Sequence, residues 1–173
     1  EDYKNILLID KNKYEIYKLL SQELFTINNY DESIITLQQA IKFVKENVSN
    51  KFTRDSIISV NENLIGENYL NLKNYKKAEF HFKNGTFLDT NNWKSYSNLG
   101  ALYQYFMIDK TQESLKYYDK AIFLNSQDDI LFYNRSNVHS SLGEFEKQII
   151  DLTKAINLCK DSNDLSHYYF NRG

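Results

Sequence analysis

The sequence predicts an all-α fold, a right-handed α-α superhelix (solenoid) of antiparallel helix pairs. Three observations point there. Markers recur at one spacing: Asn63-Leu64-Ile65-Gly66 returns as Ser97-Asn98-Leu99-Gly100, 34 residues later, and Asp119-Lys120-Ala121-Ile122 returns as Thr153-Lys154-Ala155-Ile156, also 34 later. Within each spacing, apolar and small residues fall at helical intervals twice over. The 173 residues contain no proline, which leaves long helices unbroken.

Taken in order, Tyr3 to Asp10 reads as the tail of a second helix, because Ile6 lies the usual 15 residues before Ser21. Tyr17, Leu20-Ser21 and Leu24 then form a first helix, with Tyr30, Ser33, Leu37 and Ala40 on its partner. Ala40 to Gly66 is 26 residues where later units take 15, so about eleven extra residues lie near Glu46 to Arg54. A longer loop or a first helix extended from Phe52 would absorb them equally well. Ile65, Gly66 and Tyr69 pair with Ala78, Phe82 and Gly85; Tyr96, Leu99, Gly100 and Tyr103 pair with Ser114, Tyr118 and Ala121; Phe132, Ser136 and His139 pair with Gln148, Leu152 and Ala155. Small residues at one site of each helix let two backbones approach while aromatics fill the next layer. Stop signals separate the elements: Lys73-Asn74, Gly143, and Asp89-Thr90-Asn91-Asn92. The units are about 14–47, 59–92, 93–128 and 129–162, with partial units at 1–13 and 163–173, all within one repeat domain.

Composition narrows the function classes. A chain of this length buries roughly two-thirds of its unfolded surface on folding, and 42% hydrophobic content is too high for wholesale disorder. No stretch of some eighteen apolar residues occurs, so membrane insertion is not expected. A formal net charge of −2 lacks the basic surplus of a nucleic-acid binder. One cysteine, Cys159, rules out an internal disulfide framework and a cysteine-rich metal site; it reads as a small apolar filler. Glycines sit at repeat sites rather than in a phosphate-binding loop, and neither a zinc-protease helix motif nor a nucleophile elbow occurs. His81 and His139 read as packing or surface residues, and Asp128, Asp129, Asp161 and Asp164 as helix-terminal residues. The expectation is a non-enzymatic protein with no cofactor, no metal and no catalytic residue.

The repeat resembles the tetratricopeptide repeat (TPR) family. Tyr96, Leu99-Gly100 and Tyr103 match the pattern of its first helix; Tyr75, Ala78 and Phe82, and again Phe145, Leu152 and Ala155, match that of its second. The proline usual after the second helix is absent from every unit. Gly85 stands where alanine is usual, as does Gln148. The resemblance implies that stacked first helices line a concave groove that holds an extended peptide or a partner helix. On that register the groove-facing candidates are Asn98, Asn134 and Asn171, each two residues before the small site and spaced by 36 and 37. An asparagine there offers donors and an acceptor to a peptide backbone whatever its side chains. Leu64 and Leu19 interrupt the series in earlier units. Tyr105, Tyr133, His167, Asn137 and Lys94 are expected as further contacts, beside Ser97, Gln104 and Ser140. Family members that bind a chaperone's carboxylate terminus use a basic and asparagine clamp. Lys18 and Gln22 resemble its start, and His167 falls where a lysine would be, so the clamp is incomplete. Arg135 and Arg172 occupy usually apolar sites, with stems expected to pack and heads to reach the surface.

With no polar capping face evident at either end, the chain reads as an excerpt of a longer repeat protein. A substrate-recruiting or adaptor arm of an enzyme whose catalytic domain lies elsewhere is the alternative. A scaffold packed against another subunit is a third reading, and Tyr168 to Phe170 would then supply an aromatic face for self-association. The compartment expected is cytoplasmic.

Overall fold

The computed structural model describes residues 11–160 and 162–172, and all regular structure among them is helical. In order come α1 (Lys11–Thr26), α2 (Tyr30–Asn47), α3 (Lys51–Asn71), α4 (Tyr75–Leu88), α5 (Trp93–Phe106), a 3-10 turn (Ile108–Lys110), α6 (Thr111–Leu124), α7 (Asp129–Ser141), α8 (Phe145–Leu158) and α9 (Ser162–Arg172). The all-α prediction holds, and the predicted helix pairs are present in the predicted order. The helix expected over Tyr3 to Asp10, the cap at Asp161 and the small site at Gly173 lie outside the described residues. Two compact units divide the chain, one ending at Ser95 and the other starting at Tyr96.

In the first unit α1 packs on α2, α2 on α3 and α3 on α4. Ile34, Leu37, Ile41, Val44 and Val48 of the second helix and its cap meet Ile58 and Ile65 of α3 in one core. The extra residues around Glu46 to Arg54 lengthen helices rather than a loop. α2 continues to Asn47 and α3 starts at Lys51, where the Asn50 side chain accepts the Thr53 N–H at 2.9 Å. Buried Val48 ties the short connection down.

The position of Gly85 shows what an alanine would meet there. A Cβ on Gly85 would collide with Ser95 Oγ and lie 3.4 Å from the Ser59 carbonyl oxygen. The space is filled by polar groups: Ser59 Oγ donates to the Gly85 carbonyl at 2.8 Å and accepts Asn92 Nδ2 at 2.7 Å. Gly66 is crowded by a ring instead, since an added Cβ would sit 2.5 Å from two ring carbons of fully buried Phe82.

In the second unit α6 packs on α7, α7 on α8 and α8 on α9. Gly100 of α5 faces the ring of buried Tyr118, three of whose carbons lie 3.0 Å from where a Cβ would be. The Tyr118 hydroxyl donates to Gln104 Oε1 at 3.2 Å, so Gln104 is a buried partner and not a groove-surface residue.

Turn chemistry explains the one irregular step in the repeat. Asn28, Lys73 and Gly143 each follow a small site by seven residues and adopt positive φ, at 61°, 58° and 72°. Met107 takes that place after Gly100, but with φ of −132° it leads into the 3-10 turn. That turn absorbs the two residues by which the step from Gly100 to Ser136 exceeds 34. Where proline is missing, capping closes the second helices. The N–H groups of Asp89, Asn125 and Cys159 bond back to the carbonyls of the small residues Gly85, Ala121 and Ala155. The side chain of Asp128 then accepts the Ile130 N–H, starting the next helix.

Replacing Gly66 by alanine will destabilise the chain. Helix propensity alone favours alanine by about 1 kcal/mol, but the ring contact imposes an overpacking cost of about 1–3 kcal/mol. A urea melt of Gly66→Ala followed by circular dichroism should show a lower midpoint, and Phe82→Leu in the same chain should restore part of it. Burial pushes the Tyr118 hydroxyl well above its ordinary value of 10.0, with the nearby Tyr105 adding to the shift. The folded state therefore keeps Tyr118 neutral while the unfolded chain ionises. Stability from this group is complete below pH 10 and is lost as pH climbs above it. Melts from pH 8 to 11 should show that decline, and Tyr118→Phe should flatten it.

Candidate functional site

α7 and α9 present faces of matching spacing to one cleft. Ile130, Tyr133 and Asn134 come from α7, and Asp164, His167 and Tyr168 from α9, both sets at i, i+3 and i+4. The cleft has a volume of about 360 Å³. Its floor is fixed by aromatic packing. Tyr168, 3% exposed, shares a core cluster with Phe132 and Ala155, and its ring centroid lies 4.8 Å from that of Tyr133. The Tyr168 hydroxyl donates to Asp129 Oδ2 at 3.0 Å, which ties the first turn of α7 to α9. Burial and the Asp129 carboxylate both hold this phenol protonated, pushing its pKa upward. Partly buried Cys159 packs against the same cluster as an apolar filler.

Three of the eight predicted contacts, Tyr133, Asn134 and His167, are thereby brought together. Asn171 stands at the edge, where Nδ2 donates to the His167 carbonyl at 2.8 Å and makes a long 3.5 Å contact with the Tyr133 hydroxyl. Its amide nitrogen is thus engaged locally, and Oδ1 is the atom left to accept. Asn98 is half-buried on α5 and has an interaction partner. Asn137 is half-buried on α7, and Tyr105 is exposed on α5. Lys94 belongs to the first unit, where its ammonium lies 5.6 Å from the Trp93 ring centre. None of these four lines the cleft. Sequence reasoning missed Ile130, Asp164 and Tyr168 as lining residues. The signal was the shared i, i+3, i+4 spacing, obscured because Asp164 also suits a helix start and Tyr168 lies in an aromatic run. Of that run, Tyr169 and Phe170 are exposed but Tyr168 is buried, so the expected aromatic face loses its first member.

A second cluster on α6, α7 and α8 concerns stability. Arg135 was expected to reach the surface with its head; instead the guanidinium is held on both sides. Nε and Nη2 donate to the two oxygens of Asp151 at 2.8 and 2.6 Å, and Nη1 donates to Asp119 at 2.6 Å. Hydrogen bonding to Asp151, the largest influence, raises the Arg135 pKa against the opposing effect of burial. His139 Nδ1 bonds Glu144 at 2.7 Å, and its Nε2 lies 3.7 Å from Asp151. Lys147 and then His139 hold the Glu144 carboxyl below its ordinary value. His81 is likewise a packing residue, bonded to Glu62 at 2.6 Å and stacked on Tyr69.

Residues 131–162, which run from the first turn of α7 past the end of α8, match the family model described as tetratricopeptide repeat. This stretch is a tetratricopeptide repeat. The TPR therefore includes Tyr133 and Asn134 of the cleft, while α9 follows it. No curated protein sequence matches the chain. Among solved structures the chain is similar to one titled crystal structure of MamA protein, at 22% identity and a TM-score of 0.69 over 92% of this chain and 79% of that one. A second MamA crystal structure matches at 23% identity and a TM-score of 0.67, over 88% and 80% of the two chains. MamA 41-end from Desulfovibrio magneticus RS-1 matches at 17% identity and a TM-score of 0.68, over 92% and 84%. At such identities the likeness shows the helical-repeat fold. The TPR match and this fold support a protein-interaction scaffold in general terms. Among the described residues no helix is long and apolar enough to cross a membrane.

Asp151 is 3% exposed, whereas the Asp119 side chain is 59% exposed. Removing the buried partner leaves Arg135 uncompensated, so Asp151→Ala should cost about 2 kcal/mol, less than a fully buried pair because the guanidinium keeps some solvent. Asp119→Ala should cost under about 1 kcal/mol. Thermal melts of the two variants side by side check the order.

Proposed function

We propose that the chain is a non-enzymatic protein-interaction scaffold whose α7–α9 cleft holds an extended peptide. The observation that carries this reading is the convergence of Tyr133, Asn134 and His167 with Ile130, Asp164 and Tyr168 on one cleft between two first helices. Each supplies a different part of peptide recognition. Ile130 and the Tyr133 ring offer apolar contact, on a floor made rigid by the Tyr133–Tyr168 pair and the Tyr168–Asp129 bond. Half-buried Asn134 offers an amide with donors and an acceptor to the peptide backbone. Asp164 and His167 add polar contacts along one wall. The TPR assignment of residues 131–162 supports the same reading. Asn98 extends this contact line as a proposal from its repeat position alone.

A peptide selected from a random twelve-residue display library and labelled with a fluorophore gives the test by anisotropy. Tyr133→Ala with Asn134→Ala should weaken binding at least about tenfold, the loss of one good hydrogen bond and an aromatic contact. Helix content by circular dichroism should stay the same. Asn98→Ala should weaken it by a smaller factor. Unchanged affinity in the Tyr133, Asn134 double variant would remove the cleft from the site.

A further inference from the structure

The α7–α9 cleft carries negative charge that its own lining does not answer. Asp164 lies on its wall, partly exposed, and makes no hydrogen bond or ion pair among the described residues. Asp129 stands beside Ile130 in the first turn of α7, where its Oδ2 accepts the Tyr168 hydroxyl at 3.0 Å. No described cation pairs with it either. Among the described residues no lysine or arginine lines the cleft. Both aspartates sit in the first turn of a helix, which accounts for their place in the sequence. A helix terminus offers only about half a positive charge, so each carboxylate stays negative in excess.

Their charges converge on the floor of the cleft. After burial, the hydrogen bond to Asp129 and then the charges of Asp129 and Asp164 push the Tyr168 phenol upward. The same unit shows how this chain holds a cation between helices. Arg135 is taken by Asp119 of α6 and Asp151 of α8, with contacts of 2.6 Å to each. α7 and α9 bring a comparable pair of aspartates to a cleft of about 360 Å³, with no lysine or arginine of their own.

We propose that the peptide held by this cleft presents a lysine or arginine to Asp164, an inference that rests on reading the cleft as a peptide site. The aliphatic stem lies along Ile130, which is 51% exposed, and the Tyr133 ring. The charged head pairs with Asp164 and is drawn further by Asp129. Complementary charge of this kind selects the partner more than it tightens it. A peptide entering by its terminal carboxylate would bring a second negative charge to Asp164 and meet no lysine. A chaperone-type clamp and this cleft therefore take ligands of opposite charge.

The test uses the full chain and a fluorophore-labelled peptide from a random twelve-residue display library, chosen because Tyr133→Ala with Asn134→Ala weakens its binding. Such peptides should share a lysine or arginine. Replacing that residue by glutamine should weaken binding about fivefold by anisotropy at low salt. Asp164→Asn, which keeps the side-chain shape, should weaken the original peptide by the same factor. The two changes together should cost no more than either alone. Added salt should weaken the wild-type chain more than Asp164→Asn. Asp164→Lys should instead prefer the peptide with glutamate at that position, and circular dichroism should show unchanged helix content in each variant. Selected peptides with no shared basic residue, or additive effects of the two changes, would overturn the charge pairing and leave the cleft as a peptide site. If no selected peptide depends on Tyr133 and Asn134, both readings fall.

Discussion

The structure depends on how closely a second helix can approach the small residue of its first helix. At Gly66 the space a Cβ would need is taken by the ring of Phe82, and at Gly100 it faces the ring of Tyr118. Because those rings are fully buried against a bare backbone, the helix pair has one register and one separation. Everything on the outer faces of the helices inherits its position from that contact. The α7–α8 pair keeps the logic with different residues: Ser136 is fully buried opposite α8, whose Leu152 and Ala155 are fully buried too. A smaller second-helix residue tolerates a hydroxymethyl group where a ring would not.

The same constraint explains what could be read from the chain and what could not. Small and aromatic residues at fixed intervals are written directly into the sequence, so the helix pairs, their order and the small and aromatic sites at which they meet were legible, whereas buried Ile58, Leu102, Val138 and Asp151 were not singled out. The extra residues after Ala40 were not assignable, because a helix extension and a loop differ only in where backbone hydrogen bonds close. The structure closes them as helix, with Asn50 as the cap. Gly85 looked like a mere departure from a pattern. There the Oγ of fully buried Ser95 occupies the space that a methyl group would need.

The cleft was half legible for a related reason. Asn134 and His167 can be placed on first helices by periodicity alone, but which residues of two successive helices meet depends on the packing between them. Tyr168 decides that meeting. Its ring enters the cluster of Phe132 and Ala155, and its hydroxyl finds Asp129 on the neighbouring helix. No periodic rule distinguishes Tyr168 from the exposed Tyr169 and Phe170 beside it. Arg135 was misread for the complementary reason. A long basic residue at an apolar site is expected to snorkel, and only the tertiary fold reveals that Asp119 and Asp151 stand on either side of its path.

In the first unit a cavity between α1, α2 and α3 goes with a polar residue on a packed face rather than with the packing rule itself. Where a large apolar side chain fills the space between first helices, no cavity is left. In the first unit Asn68 occupies such a place, and its short side chain turns back on its own helix to bond Leu64. That back-bond satisfies the nitrogen and leaves the oxygen buried with no hydrogen-bond partner among the described residues. A leucine at 68 would remove the unsatisfied acceptor while keeping nearly the same shape, and stability alone favours it. Keeping a polar residue there costs the fold energy, because the buried oxygen gives up the hydrogen bonds it makes to water in the unfolded chain.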